Sequence, residues 1–489
     1  MIFRYTTKYF TSSTRHWATV SIPSRSLSSC IFPQNRHSRL LSSSVCRGRM
    51  SDDEADPELQ ALLRQSLGLG PGSCKALPSS TGVLKSAEYI CDNAIDVAIS
   101  PDGTRAAAET IWQLMQKKHY STETWSSHEL HPQAKDENTV NFIFTMNLLN
   151  FSFWSELSPE ERFAIDYRGR RWTGYWSLVA ALQRALDEGM YYHHLSLVYV
   201  LSTLSIRLLQ SSGDHATTHL LSSVIHHHTN MARRLSQQGY PITTPSFWHD
   251  RHSCPDSLLS HIFRSATAEP IPLLADRISI LREAGDILCS DKFHGRPVTL
   301  ISQAENSASR LVNLLASHFP NFRDTTTFHR REVRLYKRAQ ILVADLWACF
   351  NGVSYGHFDD IGQLTMFADY RIPQMLQGLG CLLYSPRLES RVRHLQLLKP
   401  GEDMEVEIRG CSIWCVELLR RQIESKHPEA KGKINAVLID FFLYDSCKEM
   451  ESRSRSQSQS HRRAGNHGPP ASGDIHGMLP HHRTRSIFY

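Results

Sequence analysis

Apolar residues recur at helical spacing along most of this chain, and this periodicity constrains the fold more than any other feature of the sequence. The stretch LLADRISILREAGDIL places Leu274, Ile278 and Leu281 on one helical face, and SASRLVNLLASHF places Leu311 and Leu315 on another. Alternating apolar and polar residues, which indicate strands, are scarce. The sequence therefore predicts an all-α fold.

Three other stretches refine this prediction. GVLKSAEYICDNAIDVAIS has the same amphipathic pattern from Gly82 as far as Ile95, so we expect the folded body to begin near Gly82. EVRLYKRAQILVADLWACF, residues 332–350, is apolar on most sides, which is typical of a central buried helix. AVLIDFFLYD, residues 436–445, is an apolar run that periodicity assigns to neither helix nor strand.

Composition limits the class of protein. With 489 residues, 41% of them hydrophobic, the chain is long enough to bury a substantial core. The net charge of +6 comes mainly from the two ends, so the central body is close to neutral and charge gives no support to a nucleic-acid partner. The longest apolar run, LSLVYVLSTLSI, is too short to span a bilayer, so no membrane partner is expected.

The cysteines also limit the class of protein to which this chain can belong. There are eleven, and none has the CxxC spacing that structural zinc prefers, so no metal site is expected. Their odd number, without a secretory signal, indicates reduced intracellular thiols.

The N-terminal region has a different composition. Residues 1–49 contain basic and hydroxyl side chains but no Asp or Glu, which is typical of a mitochondrial presequence. Met50, followed by the acidic SDDEADPELQALL, is an alternative start, and the protein is then expected in the cytoplasm. We therefore treat residues 1–81 as a disordered or targeting extension, and residues 82–450 as the folded domain.

Two segments differ in character from that domain. Residues 190–239 are rich in Ser, Thr and His without a lasting period, and the dipeptides at their ends can be encoded across splice signals. They are either a translated intron or a helical insertion. Residues 451–475 are rich in Ser, Arg, Gln, Gly and Pro, which predicts a disordered spacer before the C-terminal segment 476–489.

The stretch FADYRIPQML concentrates groups that are suited to chemistry. Phe367 and Tyr370 can surround the Asp369 carboxylate with a medium of low dielectric constant, and Arg371 can orient it or a ligand. A carboxylate in such a place can face a developing cation. The alternative is that Asp369 caps a helix or forms a salt bridge. Asp360 is the next candidate for the catalytic carboxylate.

Aromatic residues beside an amide suggest a binding site for a planar ring. Such side chains sandwich a heterocycle and hydrogen-bond its edge, although core packing is an equally ordinary use for them. The residues concerned are Asn150, Phe151, Phe153 and Trp154 in NFSFW, and Tyr175 and Trp176 in TGYWSL.

Charged residues within apolar helices are the other candidates. Lys337 either extends its amine to the surface or binds a fixed anion such as phosphate. In EVEIRGCSIWCVELL, the set around Glu405, Arg409 and Trp414 could equally form a buried ion-pair network. There is no GxxxxGK[ST], HExxH, GxSxG or GxGxxG motif, so ATP hydrolysis, zinc proteolysis and α/β-hydrolase chemistry have no support.

Several of these motifs, taken in order, resemble the queuosine-salvage family of queuosine 5'-phosphate N-glycosylases. They are NFSFW, YRGRRWTGYWSL, ALDEG, YKRAQILVADLW, TMFADYRIPQ, VEIRGCSIWCVEL and IDFFLYD, followed by the terminal HHRTRSIFY. The similarity covers most of the chain from Gly82 to Lys448. Residues 190–239 interrupt the family pattern between RALDEG and PIT.

The resemblance implies an all-α domain related to helix-hairpin-helix DNA glycosylases. It also implies hydrolysis of queuosine 5'-monophosphate to queuine and ribose 5-phosphate, without a cofactor. By the same analogy Asp369 is the catalytic carboxylate, Lys337 is a phosphate ligand and NFSFW holds the base. The same resemblance implies that five further residues help to bind the substrate: Tyr370, Arg371, Trp414, Asp440 and Asp445.

Two other functions stay open at this point. One is a glycosylase that acts on a base within DNA or RNA, which predicts a basic surface and strongly salt-dependent binding. The other is a protein that binds a 7-deazapurine without cleaving anything.

Overall fold

Helices form most of the described part of this protein, which in the computed structural model is residues 79–188, 239–463 and 478–489. All of these residues belong to one unit, Lys75–Tyr489. The predictions about residues 1–78 and about the insertion up to residue 238 lie outside the described residues, and so does the spacer from residue 464 to 477.

The described residues contain a long series of helices and six short strands. The helices are α1 (Val83–Asn93), α2 (Pro101–Lys117), α3 (Glu123–Ser126), α4 (Glu137–Leu148), α5 (Tyr175–Asp187), α6 (Pro245–His249), α7 (Asp256–Ile262), α8 (Leu274–Leu288), α9 (Val298–Gln303), α10 (Ala308–His318), α11 (Lys337–Cys349), α12 (Arg371–Gly378), α13 (Pro386–Arg393), α14 (Asp403–Lys426) and α15 (Ala436–Arg463). The strands are β1 (Val97–Ile99), β2 (Ile165–Tyr167), β3 (Arg170–Trp172), β4 (Thr325–Phe328), β5 (Arg331–Arg334) and β6 (Leu382–Tyr384).

The strands pair only in twos, as three antiparallel sheets. β2 pairs with β3 and β4 with β5 as local hairpins, whereas β1 pairs with the distant β6, with Val97 opposite Tyr384 and Ile99 opposite Leu382. The protein is therefore mostly helical, as predicted, with small sheets that the sequence analysis did not anticipate.

Helix α11 lies in the core, as its apolar sequence predicted. It begins directly after the β4–β5 hairpin, where Tyr336 takes a left-handed conformation with φ 47° and turns the chain. Helices α3, α4 and α10 pack around it. This packing buries the first residue of the helix, Lys337, as well as its apolar residues.

Helix α14 forms a second centre of packing, against α1, α2 and α15. Gly410 allows the close approach of α1, since a Cβ atom there would lie 2.5 Å from Ile90. One carboxylate oxygen of Glu407 accepts hydrogen bonds from three successive backbone amides of residues 95–97, at 3.0, 2.6 and 3.0 Å. These bonds fix the link between α1 and β1.

The predicted helices are present with some differences. Helices α8 and α10 coincide with the two amphipathic stretches, and the ambiguous run 436–445 is helical, in α15. The first predicted helix is wrong at its end, because α1 stops at Asn93 and Ile95 is 79% exposed. Helix α15 continues to Arg463, past residue 451, where the predicted spacer begins.

No helix among the described residues combines the length and the apolar character that a membrane crossing requires.

Candidate active site

A cavity of about 1360 Å³ brings most of the predicted site residues together. Its walls come from residues 150–154, the start of α5, one face of α11, the segment before α12, and the cavity-facing side of α15. The predicted residues that line it are Asn150, Phe151, Phe153, Trp154, Tyr175, Trp176, Lys337, Asp369, Tyr370, Arg371, Asp440 and Asp445.

Asp369 both caps a helix and faces the cavity. Its Oδ1 accepts hydrogen bonds from the backbone N–H groups of Arg371 and Ile372 at 2.8 and 2.9 Å, at the start of α12. Among the described residues, none donates a hydrogen bond to Oδ2. Burial raises the pKa of this carboxyl, while the positive charge of Lys337 and the two backbone donors oppose that rise. The second oxygen is therefore free for a ligand.

Lys337 brings a positive charge to the same cavity. It is only 6% exposed, yet its Nζ forms no hydrogen bond or ion pair with any described residue. Burial lowers the pKa of the amine, and the charges of Asp369 and Asp440 partly restore it. A buried amine with unused donors is suited to an anionic ligand group.

Asp440, on α15, is a second carboxyl close to Asp369. It is 5% exposed, and its Oδ2 accepts a hydrogen bond from the Phe367 N–H at 2.9 Å. Burial and then the charge of Asp369 raise its pKa well above the usual range. Two neighbouring carboxyls with different partners ionise at different pH values. Asp369 has two backbone donors and Lys337 to favour its charged form, so it is the one that ionises first.

The segment of residues 150–154 supplies aromatic surface, and we call it the aromatic loop. Phe151 lies beneath two buried guanidinium groups, those of Arg277 and Arg338, at 4.2 and 4.9 Å from its ring. Arg277 also donates hydrogen bonds to the carbonyls of Leu149 and Phe151. These arginines hold the loop from the core side.

Another part of the cavity wall is a set of contacting rings from the start of α5 and from the segment after α3. Trp176 stacks on His128 with ring centres 3.3 Å apart, and the Tyr175 hydroxyl lies 2.9 Å from His131 Nε2. Burial lowers the pKa of His131 to about 3, so it is neutral at pH 7. This wall therefore offers flat, uncharged surface for a planar ligand.

Comparisons with known proteins identify the family to which this chain belongs. The family model described as "Queuosine salvage protein" matches residues 130–231 and 225–489. The chain belongs to the queuosine salvage protein family. Curated relatives named "Queuosine 5'-phosphate N-glycosylase/hydrolase" occur in Schizosaccharomyces pombe, at 38% identity over 83% of this chain and 99% of the relative, and in Bos taurus, at 36% over 83% and 98%.

A bacterial member of the queuosine salvage protein family is similar over the same extent. The relative from Sphaerobacter thermophilus, with the same name, is 33% identical over 83% of this chain and 98% of its own length. The family resemblance that the motifs indicated is thereby confirmed.

Two predicted residues lie elsewhere in this family member. Trp414 does not line the cavity, and its ring instead lies 5.0 Å from the Arg421 guanidinium on α14. Asp360, the alternative to Asp369 as the acting carboxylate, accepts hydrogen bonds from the N–H groups of Ala308 and Ser309 at 2.5 and 3.2 Å. It caps α10 outside the cavity.

The predicted ion-pair network on α14 is present. Arg409 pairs with Asp324 at 2.5 Å and with Glu405 at 3.5 Å, and all three side chains are buried. Trp414 is not part of it.

Sequence reasoning missed other cavity residues. Asp345 lies two turns after Lys337 on α11, where it accepts hydrogen bonds from Trp125 Nε1 and Asn147 Nδ2 at 2.9 and 2.8 Å. Burial raises its pKa to about 6. The signal was visible in the sequence, since Lys337, Ile341 and Asp345 are spaced i, i+4 and i+8 on one helical face.

Arg371 and Tyr370 complete the wall near Asp369. Arg371 pairs with the buried Glu451 of α15 at 2.7 Å. Burial acts to lower the pKa of Arg371, but Glu451 together with Cys447, Tyr370 and Tyr444 raises it overall. Burial raises the pKa of the Tyr370 hydroxyl to about 12, so it is a hydrogen-bond donor at neutral pH. Among the described residues, no group of three or more His, Cys, Asp or Glu side chains is arranged to hold a metal.

Proposed function

We propose that this protein hydrolyses the N-glycosidic bond of queuosine 5'-monophosphate and releases queuine and ribose 5-phosphate. The observation that supports this most directly is that one cavity combines the free oxygen of Asp369, the unpaired amine of Lys337 and the aromatic loop. These are a negative group for the sugar, a positive group for the phosphate and flat surface for the base.

Asp369 supplies the transition-state stabilisation in this proposal. As the bond between C1' and the base nitrogen breaks, its electron pair moves to the base and positive charge builds on C1' and the ring oxygen. A fixed carboxylate beside that charge stabilises the transition state more than the ground state. Water then forms the new bond at C1' and loses one proton, while the departing base nitrogen gains one. Asp369 acts either through its charge or as the base that removes the water proton.

Lys337 orients the substrate through its phosphate. Its ammonium is buried and has no hydrogen-bond partner among the described residues. A phosphate oxygen would accept hydrogen bonds from N–H groups that otherwise have no acceptor. Binding energy at this remote group holds C1' against Asp369 and removes part of the entropic cost of the reaction.

The base lies between the aromatic loop and the wall of Tyr175 and Trp176 in this proposal. Burial and the nearby charge of Asp369 raise the pKa of Asp440, which favours its protonated form, and its Oδ1 accepts no hydrogen bond from any described residue. In that protonated form Asp440 donates a hydrogen bond to the substrate. Asn150 and Asp445 add polar groups at the edge of the same space.

The test is incubation of the purified protein with queuosine 5'-monophosphate, queuosine and a tRNA that contains queuosine. We expect free queuine from the monophosphate only, measured by chromatography with mass detection. Queuine released from the intact tRNA would instead support a polynucleotide glycosylase. Tight queuine binding without any ribose 5-phosphate formed would support the non-catalytic alternative.

The relation to helix-hairpin-helix DNA glycosylases is part of this proposal. It is supported by the helical architecture and by the cleavage of the same class of bond in the relatives' name. Superposition of α11 to α15 on such an enzyme, with Asp369 meeting its catalytic carboxylate, is the corresponding test.

A further inference from the structure

The segment of residues 478–489 packs into the domain, and none of its residues is fully exposed. Tyr489 is 2% exposed and lines the cavity, and Thr484 is also buried. The Leu398 N–H donates to the Arg483 carbonyl at 2.8 Å, and the Gln374 side chain donates to the Leu479 carbonyl at 2.9 Å. We call this segment the C-terminal strap.

The strap contacts the aromatic loop through both backbone and side-chain groups. The Ser152 N–H donates to the Tyr489 carbonyl at 3.1 Å, and Trp154 Nε1 donates to the Thr484 carbonyl at 2.8 Å. Arg485 also contacts Trp154. Its Nη1 donates a hydrogen bond to the Trp154 carbonyl at 2.7 Å, and its guanidinium lies 3.5 Å from the centre of the Trp154 ring. Trp154 is thus bound through its ring, its indole nitrogen and its backbone.

The aromatic loop needs such support, because its backbone is strained. Ser152 has φ 51°, a left-handed conformation that costs a residue other than glycine about 1 kcal/mol or more. A strained conformation persists only where the surroundings fix it. Here Arg277 fixes it from the core, and the strap fixes it from the other side.

The strap also contacts the segment that carries Asp369. The His481 ring lies 4.7 Å from the Tyr370 ring, and Tyr370 directly follows Asp369. Arg485 itself lies outside the cavity, so any effect that it has on a bound ligand passes through Trp154.

We propose that the C-terminal strap is a working part of the active site, and that Arg485 is a positioning residue that holds Trp154 and the aromatic loop in the conformation that binds the base. This inference rests on the proposed function for its kinetic consequence. Its structural part, that the strap fixes the loop, is independent of any substrate.

The kinetic test compares Arg485→Ala, Trp154→Phe and the double variant in the full chain. We expect each single change to lower kcat/KM for queuosine 5'-monophosphate by about tenfold, and the double variant to be no worse than the poorer single variant, because contacting residues are not additive. Arg485→Lys keeps one donor and the charge, so we expect partial recovery. Arg387→Ala removes an exposed arginine on α13 and serves as the matched control.

The structural test is hydrogen exchange of the backbone amides of residues 149–157. We expect Arg485→Ala to speed exchange at Ser152, while the rest of the domain exchanges as in the wild type. The proposal is overturned if Arg485→Ala behaves like Arg387→Ala in exchange, or if the kinetic losses of the two changes add fully. A wild-type protein that releases no queuine defeats the proposed function, but the exchange measurement still decides the role of the strap.

Discussion

One oxygen of Asp369 caps α12, while the other faces the cavity. The cap fixes the carboxylate without consuming its second oxygen. Asp440, a short distance away on α15, has a single backbone donor and a pKa raised well above its usual range by burial and by Asp369. The two carboxyls in one cavity therefore differ in how strongly their surroundings favour the protonated form.

The first prediction is that Asp369→Asn removes most of the turnover. The amide oxygen can still accept from the N–H groups of Arg371 and Ile372, so we expect the midpoint of thermal unfolding to stay close to that of the wild type. The negative charge is lost, and losing one group aimed at the transition state lowers kcat by about 10²–10³-fold. The loss of kcat is measured from initial rates of queuine release.

Asp360→Asn is the matched control for that change. It alters a capping aspartate in the same way, but at α10 and outside the cavity. Turnover should be unchanged. A large loss in Asp360→Asn together with near-normal turnover in Asp369→Asn would reverse the roles of the two residues.

The second prediction concerns pH. Activity requires ionised Asp369, so kcat/KM falls as pH drops through the pKa of this carboxyl. Burial raises that pKa, and the charge of Lys337 lowers it. Lys337→Met removes the opposing charge, so the pKa of Asp369 rises further and the acidic limb of the profile moves to higher pH.

The measurement is kcat/KM against pH for wild type, Lys337→Met and Lys431→Met, the last an exposed lysine in the loop before α15. Titration of the substrate phosphate is common to all three profiles and cancels in the comparison. An acidic limb that does not move in Lys337→Met would contradict the electrostatic link between the two residues.

At the scale of elements, the spacing of apolar residues within one stretch predicted the helices whose formation depends on that stretch alone. Helices α8, α10 and α11 follow from apolar spacing within one stretch. The strand β1 could not be predicted, because its three residues are defined by pairing with β6, far along the chain. Likewise, the end of α1 at Asn93 is set by Glu407 on α14, which binds the next backbone amides.

The third prediction tests that link between α1 and α14. Glu407→Ala leaves three backbone donors of residues 95–97 without their acceptor, so we expect a loss of roughly 2–4 kcal/mol in the free energy of unfolding. Urea denaturation measures it. Glu389→Ala breaks an exposed pair with Arg393 and should cost less than about 1 kcal/mol. Equal stability of the two variants would contradict the role of Glu407.

At the scale of the whole molecule, the sequence indicated which residues belong to the candidate site, but it did not show which of them lie next to one another. The motifs identified Asp369, Lys337 and the aromatic loop, and the family resemblance indicated how they combine. Trp414 lies away from the cavity although it belongs to a family motif, because a motif does not show which way a side chain points. On α14 this side chain points toward Arg421. Asp345 could have been found from the helical face that it shares with Lys337, but its hydrogen-bond partners, Trp125 and Asn147, come from other elements and could not be predicted.

The fourth prediction follows from the near-neutral body of the chain. A ligand with one phosphate group makes few ionic contacts, so raising NaCl from about 50 to about 200 mM should change KM by less than about tenfold. A protein with 6–10 phosphate contacts would lose about 10³–10⁵ in affinity over that range. KM for queuosine 5'-monophosphate at several salt concentrations distinguishes the two, with Lys337→Met expected to be less salt-sensitive than the wild type.

The contact of the aromatic loop with the C-terminal strap joins residues 330 positions apart, from Trp154 to Thr484. Synthesis on the ribosome delivers the N-terminal side of such a contact first. While translation continues, the loop therefore emerges without the groups that fix it. In the arrangement that we propose, a nascent chain completes its aromatic loop only after residues 478–489 have left the exit tunnel and docked.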